Sequence, residues 1–160
     1  SWSPGGLGFA GHASLGVAWM SPGRLGVHAH ALLPVVPKTI SAQEGEADIF
    51  TSLFGAGLRL RLTRAGAPVS VRSDVGIAAA WFEMRGRAAP GYASGADRIV
   101  TAVFYVRPML SWSVSRSFSV RGDVVLGIAA PKPEVVFAGR EVAHWGRPLV
   151  GLGAGLAFSL

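Results

Sequence analysis

The residues with the clearest potential for chemistry are arginines and aspartates at alternate positions of several apolar segments. Successive side chains of a strand point to opposite sides, so this spacing puts the charges on one face. A buried charge is very costly unless it is paired, and five arginines with two aspartates predict an ion-pair network that plugs an interior. The same excess of arginine would suit a selectivity ring in a narrow anion-preferring channel. The set is Arg59, Arg61, Arg72, Asp74, Arg107, Arg121 and Asp123.

Part of this set belongs to an internal repeat. Residues 69–75 (Val-Ser-Val-Arg-Ser-Asp-Val) resemble residues 118–124 (Phe-Ser-Val-Arg-Gly-Asp-Val). Each copy follows a short turn and a strand with an arginine of its own, so the repeated unit is a β-hairpin, as in an up-and-down barrel. A register that satisfies the charges sets Arg59 opposite Asp74 and Arg107 opposite Asp123.

Three histidines form a second candidate group. His12, His28 and His30 share the polar face of the first predicted hairpin, with Ser14 beside them. Three imidazoles could bind a metal, and a histidine with a serine could provide the base and nucleophile of a lipid-modifying enzyme. No carboxylate on this hairpin is placed to orient a histidine. We therefore expect ordinary packing, with no catalytic residue, no metal and no cofactor.

Long β-strands must position these groups, because large apolar residues alternate with small or polar ones at a period of two. Each segment has about nine to thirteen residues, which suits a strand crossing hydrocarbon at a tilt of about 45°, whereas ordinary strands have about 5–6 residues. The predicted strands are residues 7–19, 25–33, 50–62, 69–81, 100–112, 118–128 and 150–160. Short turns near residues 21–24, 64–68 and 115–117 alternate with longer loops at about 34–48, 85–98 and 131–147.

The composition excludes several classes of protein. Half of the 160 residues are apolar and 15% are charged, with a mean hydropathy of +0.41. The sequence contains no stretch of roughly 20 apolar residues, which is the length that a spanning helix needs. Its 22 glycines and 10 prolines disfavour helices generally. The absence of cysteine excludes disulfide and thiolate chemistry. The net charge of +6 comes from scattered arginines without interleaved aromatics, so we expect no nucleic-acid partner.

The small-residue face distinguishes two barrel architectures. A soluble lipocalin-like barrel would present Lys, Glu and Thr to water, but here this face is rich in Gly, Ala and Ser. Small side chains suit the crowded lumen of a barrel of about eight strands, so the bulky face is predicted to contact lipid. Aromatic residues near both ends of the strands predict girdles at the two membrane interfaces. The girdle residues are Trp19, Trp81, Trp112, Phe118 and Phe158.

The last segment carries a resemblance to a known class. Residues 151–160 alternate to the end of the chain, with an aromatic at Phe158, and are similar to the C-terminal strand that the barrel assembly machinery reads. As a pattern, nearly the whole chain resembles a small OmpA-type outer-membrane β-barrel. The resemblance implies the outer membrane of a Gram-negative bacterium, contact with outer-membrane lipid and lipopolysaccharide, and the assembly machinery as a partner during biogenesis.

These observations predict one domain over residues 1–160, an all-β, antiparallel, up-and-down transmembrane barrel of about eight strands. Seven strands are visible, and bacterial single-chain barrels have even numbers. The eighth is expected upstream of Ser1, or from a partner chain, and an N-terminal periplasmic domain could accompany it. The predicted function is structural or anchoring, with a plugged lumen. The alternatives are a porin-like narrow anion channel, a soluble ligand-binding barrel and a membrane-lipid-modifying enzyme.

Overall fold

The computed structural model describes residues 10–43, 45–90, 96–137 and 140–158, and this part of the chain is all-β and antiparallel. In these ranges no helix is long and apolar enough to cross a membrane. The strands in chain order are β1 (Gly11–Met20), β2 (Leu25–Val36), β3 (Lys38–Ala42), β4 (Gly45–Arg61), β5 (Val69–Ala88), β6 (Ala96–Ser113), β7 (Phe118–Ala130), β8 (Glu134–Phe137), β9 (Arg140–His144) and β10 (Leu149–Phe158).

One curled, half-barrel sheet contains eight of these strands. Its hydrogen-bonded order is β1-β2-β4-β5-β6-β7-β10, β3 pairs with β4 outside this path, and β8 with β9 forms a separate hairpin. Short turns join β1 to β2, β4 to β5 and β6 to β7 at one end, which we call the short-turn end. The other connections lie at the opposite, long-connection end. Because each neighbour along the path is antiparallel, β1 and β10 run in the same direction.

The two faces of the sheet differ as the alternation predicted. On the outer, convex face, large apolar side chains are exposed, for example Leu152 at 81% and Val17 at 75%. On the inner, concave face, the Asp74 side chain is completely buried and Arg107 is 4% exposed. The prediction that bulky residues point away from the axis of the curl, and charged residues toward it, is therefore confirmed for these strands.

The strands are longer than predicted at the long-connection end. β4 begins at Gly45 rather than near residue 50, and β5 continues to Ala88 rather than ending near residue 81, with Glu46 paired to Arg87. The predicted loops at 34–48, 85–98 and 131–147 also contain β3, the start of β6 and the β8–β9 hairpin. Charged residues at the outward positions gave these extensions a loop-like composition, although the backbone pairing continues through them.

The concave face is not small and polar throughout, which corrects a second expectation. At the long-connection end its buried side chains include Ile49, Leu53, Phe82 and Val103. Trp145, from the connection between β9 and β10, packs edge-on against Phe82 with ring centroids 4.8 Å apart. Large side chains fit here because the connection folds over this end of the curl and supplies apolar cover.

Backbone hydrogen bonds hold this connection in place. The amide of Ala129 donates to the carbonyl of Gly146 at 2.7 Å, and Nε of Arg147 donates back to the carbonyl of Ala129 at 3.1 Å. The amide of Trp145 donates to the carbonyl of Pro133 at 3.1 Å. The end of β7 therefore positions Trp145 over the apolar half of the interior.

The predicted closed ring is not complete in the residues described. β1 and β10 are the two ends of the hydrogen-bonded path, and no pairing joins them within these residues. We call the gap between them the seam. A cavity of about 490 Å³ lies along it, lined from one side by residues such as His12 and from the other by residues such as Gly153. Because β1 and β10 run in the same direction, they cannot pair with each other in an antiparallel ladder.

Candidate functional site: the charged interior

The first ion pair joins the β4–β5 hairpin across the concave face. Arg59 and Asp74 are direct register partners, and Nε and Nη2 of Arg59 donate to the two carboxylate oxygens of Asp74, each at 2.7 Å. This two-point geometry is among the strongest hydrogen-bonded arrangements of side chains. Both side chains are buried, so each charge depends on the other for compensation.

The second ion pair repeats this arrangement in the β6–β7 hairpin. Nε and Nη2 of Arg107 donate to the carboxylate of Asp123 at 2.8 and 2.9 Å. Asp123 pairs with Met109 in the backbone register, and the ladder is interrupted between Met109 and Val106, so the arginine reaches its partner diagonally. The structure thus brings together both Arg–Asp pairs that the sequence repeat predicted.

A cluster of aromatic and imidazole rings lies beside the first ion pair. Nε2 of His28 is 2.7 Å from the hydroxyl oxygen of Tyr105 and 3.7 Å from a carboxylate oxygen of Asp74. The rings of His28 and His30 stack with centroids 5.7 Å apart, and Tyr105 meets the His30 ring at right angles, 5.2 Å away. Tyr105 spans the interior from β6 to β2, and sequence reasoning did not single it out.

The interior is crowded enough to require a glycine below Tyr105. A Cβ atom at Gly76 would collide with the carbonyl oxygen of Ala56 and lie 2.8 Å from the hydroxyl oxygen of Tyr105. The glycines of this face therefore make room for the ring cluster, which fits the prediction that small residues accommodate a narrow interior.

The three remaining arginines of the predicted set differ in their surroundings. Arg61 lies at the short-turn end, where Nη2 donates to the carbonyl oxygen of Gly23 at 2.9 Å, so it belongs to the rim. Arg72 and Arg121 are partly buried, and Nε of each has no hydrogen-bond partner among the described residues. Nε of Arg121 lies 3.7 Å from Oδ1 of Asp123, which already accepts a hydrogen bond from Arg107.

His12 does not join the other histidines. Its Nε2 lies 3.0 Å from the carbonyl oxygen of Thr51, and its Nδ1 lies 3.3 Å from that of Ala10. Ser14 is exposed and, like His12, lines the seam cavity. Within the described ranges no three His, Cys, Asp or Glu side chains are grouped to hold a metal ion.

The predicted girdle residues all lie on the convex face or at its rim. Trp19, Trp112 and Phe158 are 65%, 63% and 75% exposed and belong to the short-turn half, whereas Trp81 is 46% exposed and lies toward the other end. Phe118 packs against Phe158 with ring centroids 5.4 Å apart, which places an aromatic pair where β7 begins and β10 ends.

Comparison with known proteins adds no relative: no protein-family profile, no curated protein sequence and no solved structure matches this chain.

Proposed function

We propose that this chain forms the wall of a β-barrel in the outer membrane of a Gram-negative bacterium, where it has a structural or anchoring role. The observation that carries the proposal is the convex face. Every strand of the path contributes large exposed apolar side chains to it, whereas the largest apolar patch of a soluble monomer is typically about 300–600 Å². Hydrocarbon would cover such a face. The exposed residues include Leu15, Val27, Phe54, Ile77, Phe104, Ile128 and Leu156.

The position of the outward charges supports the same proposal. Along β5 the outward positions carry no charge up to Trp81, with Ser73 as the polar residue among them, and then become Glu83, Arg85 and Arg87, of which the arginine side chains are 66% and 73% exposed. A strand of about 13 residues rising ~3.3 Å per residue at a tilt of ~45° reaches about 28 Å, close to the ~25 Å apolar band of such barrels. Trp81, the aromatic residue at this boundary, fits an interfacial girdle.

The ion pairs and packed side chains on the concave face favour an anchor over a pore, and the cavity of about 490 Å³ along the seam is the space that they leave open. The two bidentate ion pairs occupy the short-turn half, and packed apolar side chains with Trp145 occupy the other half. A narrow anion-preferring channel is the second candidate, because Arg72 and Arg121 leave an excess of positive charge inside. Conductance in planar bilayers distinguishes the two: the anchor gives no discrete current steps, and Arg107→Ala leaves the bilayer silent, whereas regular anion-selective steps would favour the channel.

A matched pair of arginine substitutions tests the membrane proposal. Ile77 lies in the middle of β5 and is 53% exposed, whereas Leu62 lies at the short-turn end and is 51% exposed. Arginine at the bilayer midplane costs about 2–4 kcal/mol but only about 0–1 near the interface. We therefore expect Ile77→Arg to impair insertion into lipid vesicles strongly and Leu62→Arg to impair it little. Equal insertion of both, or a wild-type chain that stays monomeric in water without detergent, would favour the soluble ligand-binding barrel.

The proposal also implies which molecules the protein contacts. Outer-membrane lipid would cover the convex face, lipopolysaccharide would meet the basic residues at the long-connection end, and the barrel assembly machinery would act on β10 during biogenesis. The remaining alternative is an enzyme that modifies membrane lipid. This alternative predicts that lipid A changes in mass in cells that express the protein, and that the change disappears with His12→Ala.

A further inference from the structure

The directions of the two edge strands fit one further strand between them. β1 and β10 run in the same direction and are both unpaired on the side that faces the seam, as far as the structure describes them. One strand antiparallel to both would continue the alternating order and make eight strands along the path, which leaves out β3 because it pairs with β4 outside it. Direct pairing of β1 with β10 would instead create one parallel ladder in an otherwise antiparallel sheet.

The exposure of β1 agrees with a missing neighbour. Its inward positions Ser14, Gly16 and Ala18 are exposed, and so are its outward positions Leu15 and Val17. In the middle of the sheet, inward positions are buried by side chains from across the curl. β1 therefore lacks cover on its concave side, which is the side on which the cavity of about 490 Å³ opens.

Arg121 indicates the chemistry of the missing strand. Its side chain lies on β7 beside Gly155 of β10, so only a glycine separates it from the seam, and both Arg121 and Gly155 line the cavity. Nε of Arg121 has no hydrogen-bond partner among the described residues. A partly buried guanidinium of this kind is stabilised by a carboxylate that can accept its hydrogen bonds.

We propose that a further β-strand of the same polypeptide, preceding β1, fills the seam antiparallel to both edges and carries an inward-facing Asp or Glu that pairs with Arg121. A strand antiparallel to β1 ends at the long-connection end, where β1 begins, so a connection across that end joins them. The choice of a preceding strand over one after β10 rests on the proposed function, in which β10 is the terminal strand that the assembly machinery reads. The filling of the seam does not depend on lipid.

Engineered cysteines, introduced into a chain that has none of its own, test whether β1 and β10 are held apart at the seam. An intervening strand holds β1 and β10 two strand spacings apart, about 9–10 Å, beyond the ~7 Å limit between the Cα atoms of a disulfide. In the full-length protein in detergent, we expect no disulfide from the four pairs that combine Ala13→Cys or Leu15→Cys with Leu152→Cys or Ala154→Cys.

The control is the pair Val124→Cys with Leu152→Cys, which are register neighbours on β7 and β10 and should cross-link efficiently if the protein is folded. A disulfide across the seam would overturn the proposal. A full-length protein that is a dimer through exchanged strands, or that requires a second chain to fold, would overturn the assignment to the same polypeptide. None of these outcomes depends on whether the barrel inserts into lipid.

Double-mutant cycles test the carboxylate. In the full-length protein, each Asp or Glu of the preceding strand is changed to its amide, alone and together with Arg121→Gln. For one acid, we expect the change in the unfolding equilibrium constant to be at least about ten-fold smaller once Arg121 has been replaced. Arg116→Gln, in the exposed turn before β7, is the control and should show no coupling. Absence of coupling for every acid, or a preceding segment with no inward acid, would overturn this part.

Discussion

The two halves of the concave face are built from the same strands but are stabilised in different ways. In the short-turn half, Arg59 with Asp74 and Arg107 with Asp123 form directional, bidentate ion pairs. In the long-connection half, the interior consists of packed apolar side chains such as Leu53 and Val103.

The difference follows from what covers each half. Trp145, in the connection between β9 and β10, packs over the long-connection half, so large apolar residues are removed from water there. The short-turn half has only tight turns at its end, which supply no side chains to cover it. Its interior holds long charged side chains, of which Arg59 and Arg107 are each paired with an aspartate of the same hairpin. The identity of inward residues therefore depends on their position along the strand as well as on the face.

The largest effect is expected from breaking the charged half. Asp74→Ala leaves Arg59 buried without its carboxylate, and the loss of one partner of a buried pair costs about 3–5 kcal/mol. Denaturant unfolding in detergent measures this fall in the free energy of unfolding. Replacing both partners, Arg59→Met with Asp74→Leu, should restore most of the lost stability. The control is Asp97→Ala, at an exposed position near the start of β6, which should have little effect. An Asp74→Ala protein as stable as Asp97→Ala would contradict a structural role for the pair.

A cavity substitution tests the apolar half in the same assay. Leu53 is 5% exposed in the interior, whereas Leu152 is 81% exposed on the convex face. We expect Leu53→Ala to lower the free energy of unfolding by about 2–3 kcal/mol, within the usual range for buried leucine. Leu152→Ala removes the same atoms from a mostly exposed site and should cost less. If Leu152→Ala cost as much as Leu53→Ala, the distinction between packed interior and outer surface would be wrong.

The cover over the apolar half can be loosened at one glycine. Gly146 has a φ of 81°, and an added Cβ would collide with the side chain of Ala129. Gly146→Ala should cost at least about 1–2 kcal/mol from backbone strain alone and should make residues 131–148 more susceptible to proteolysis. Gly66 has a φ of 78° with nothing near its Cβ position, so Gly66→Ala isolates the strain. Equal proteolysis of both variants would show that Trp145 is not held through this contact.

The smallest effect is expected at the exposed rim beyond both halves. Hydrogen bonds from Thr39 and then from Arg87 lower the pKa of Asp48 from its ordinary value of 3.8. A carboxyl group with a lowered pKa in the folded state contributes stability that is present above 3.8 and is lost as the pH falls through the lower, folded value. We expect Asp48→Asn to be slightly less stable than the wild type at neutral pH and equal to it in strong acid. A difference that grew on acidification would have the wrong sign.

Much of the fold could be read from alternation because period two is a local property. It predicted which face each strand presents, and the repeated Val-Arg-x-Asp segments placed Arg59 against Asp74 and Arg107 against Asp123. The strand extensions were missed because outward residues such as Glu83 and Arg87 resemble loop composition. The inward neighbour Phe82 remains apolar and buried, and this one-sided alternation was the available signal.

The contacts between distant segments could not be read in this way. Tyr105 is 77 residues from His28. Trp145, in the connection between β9 and β10, packs against Phe82 of β5. Pairing within a hairpin follows from a turn and a register, whereas contacts across the curl depend on how strongly the whole sheet bends. Alternation puts Tyr105 on the same face as Arg107, but nothing local indicates which ring it meets.

The sequence separations within the charged interior have a consequence for the order of folding. The two Arg–Asp pairs join residues only 15 and 16 positions apart, whereas the Tyr105–His28 hydrogen bond joins residues 77 apart. Short loops close at a lower entropic cost, so each hairpin can acquire its ion pair before the sheet curls, and the tyrosine contact forms last. Folding kinetics should then give φ-values near one for Asp74 and Asp123 and near zero for Tyr105→Phe; the reverse order would exclude this sequence of events.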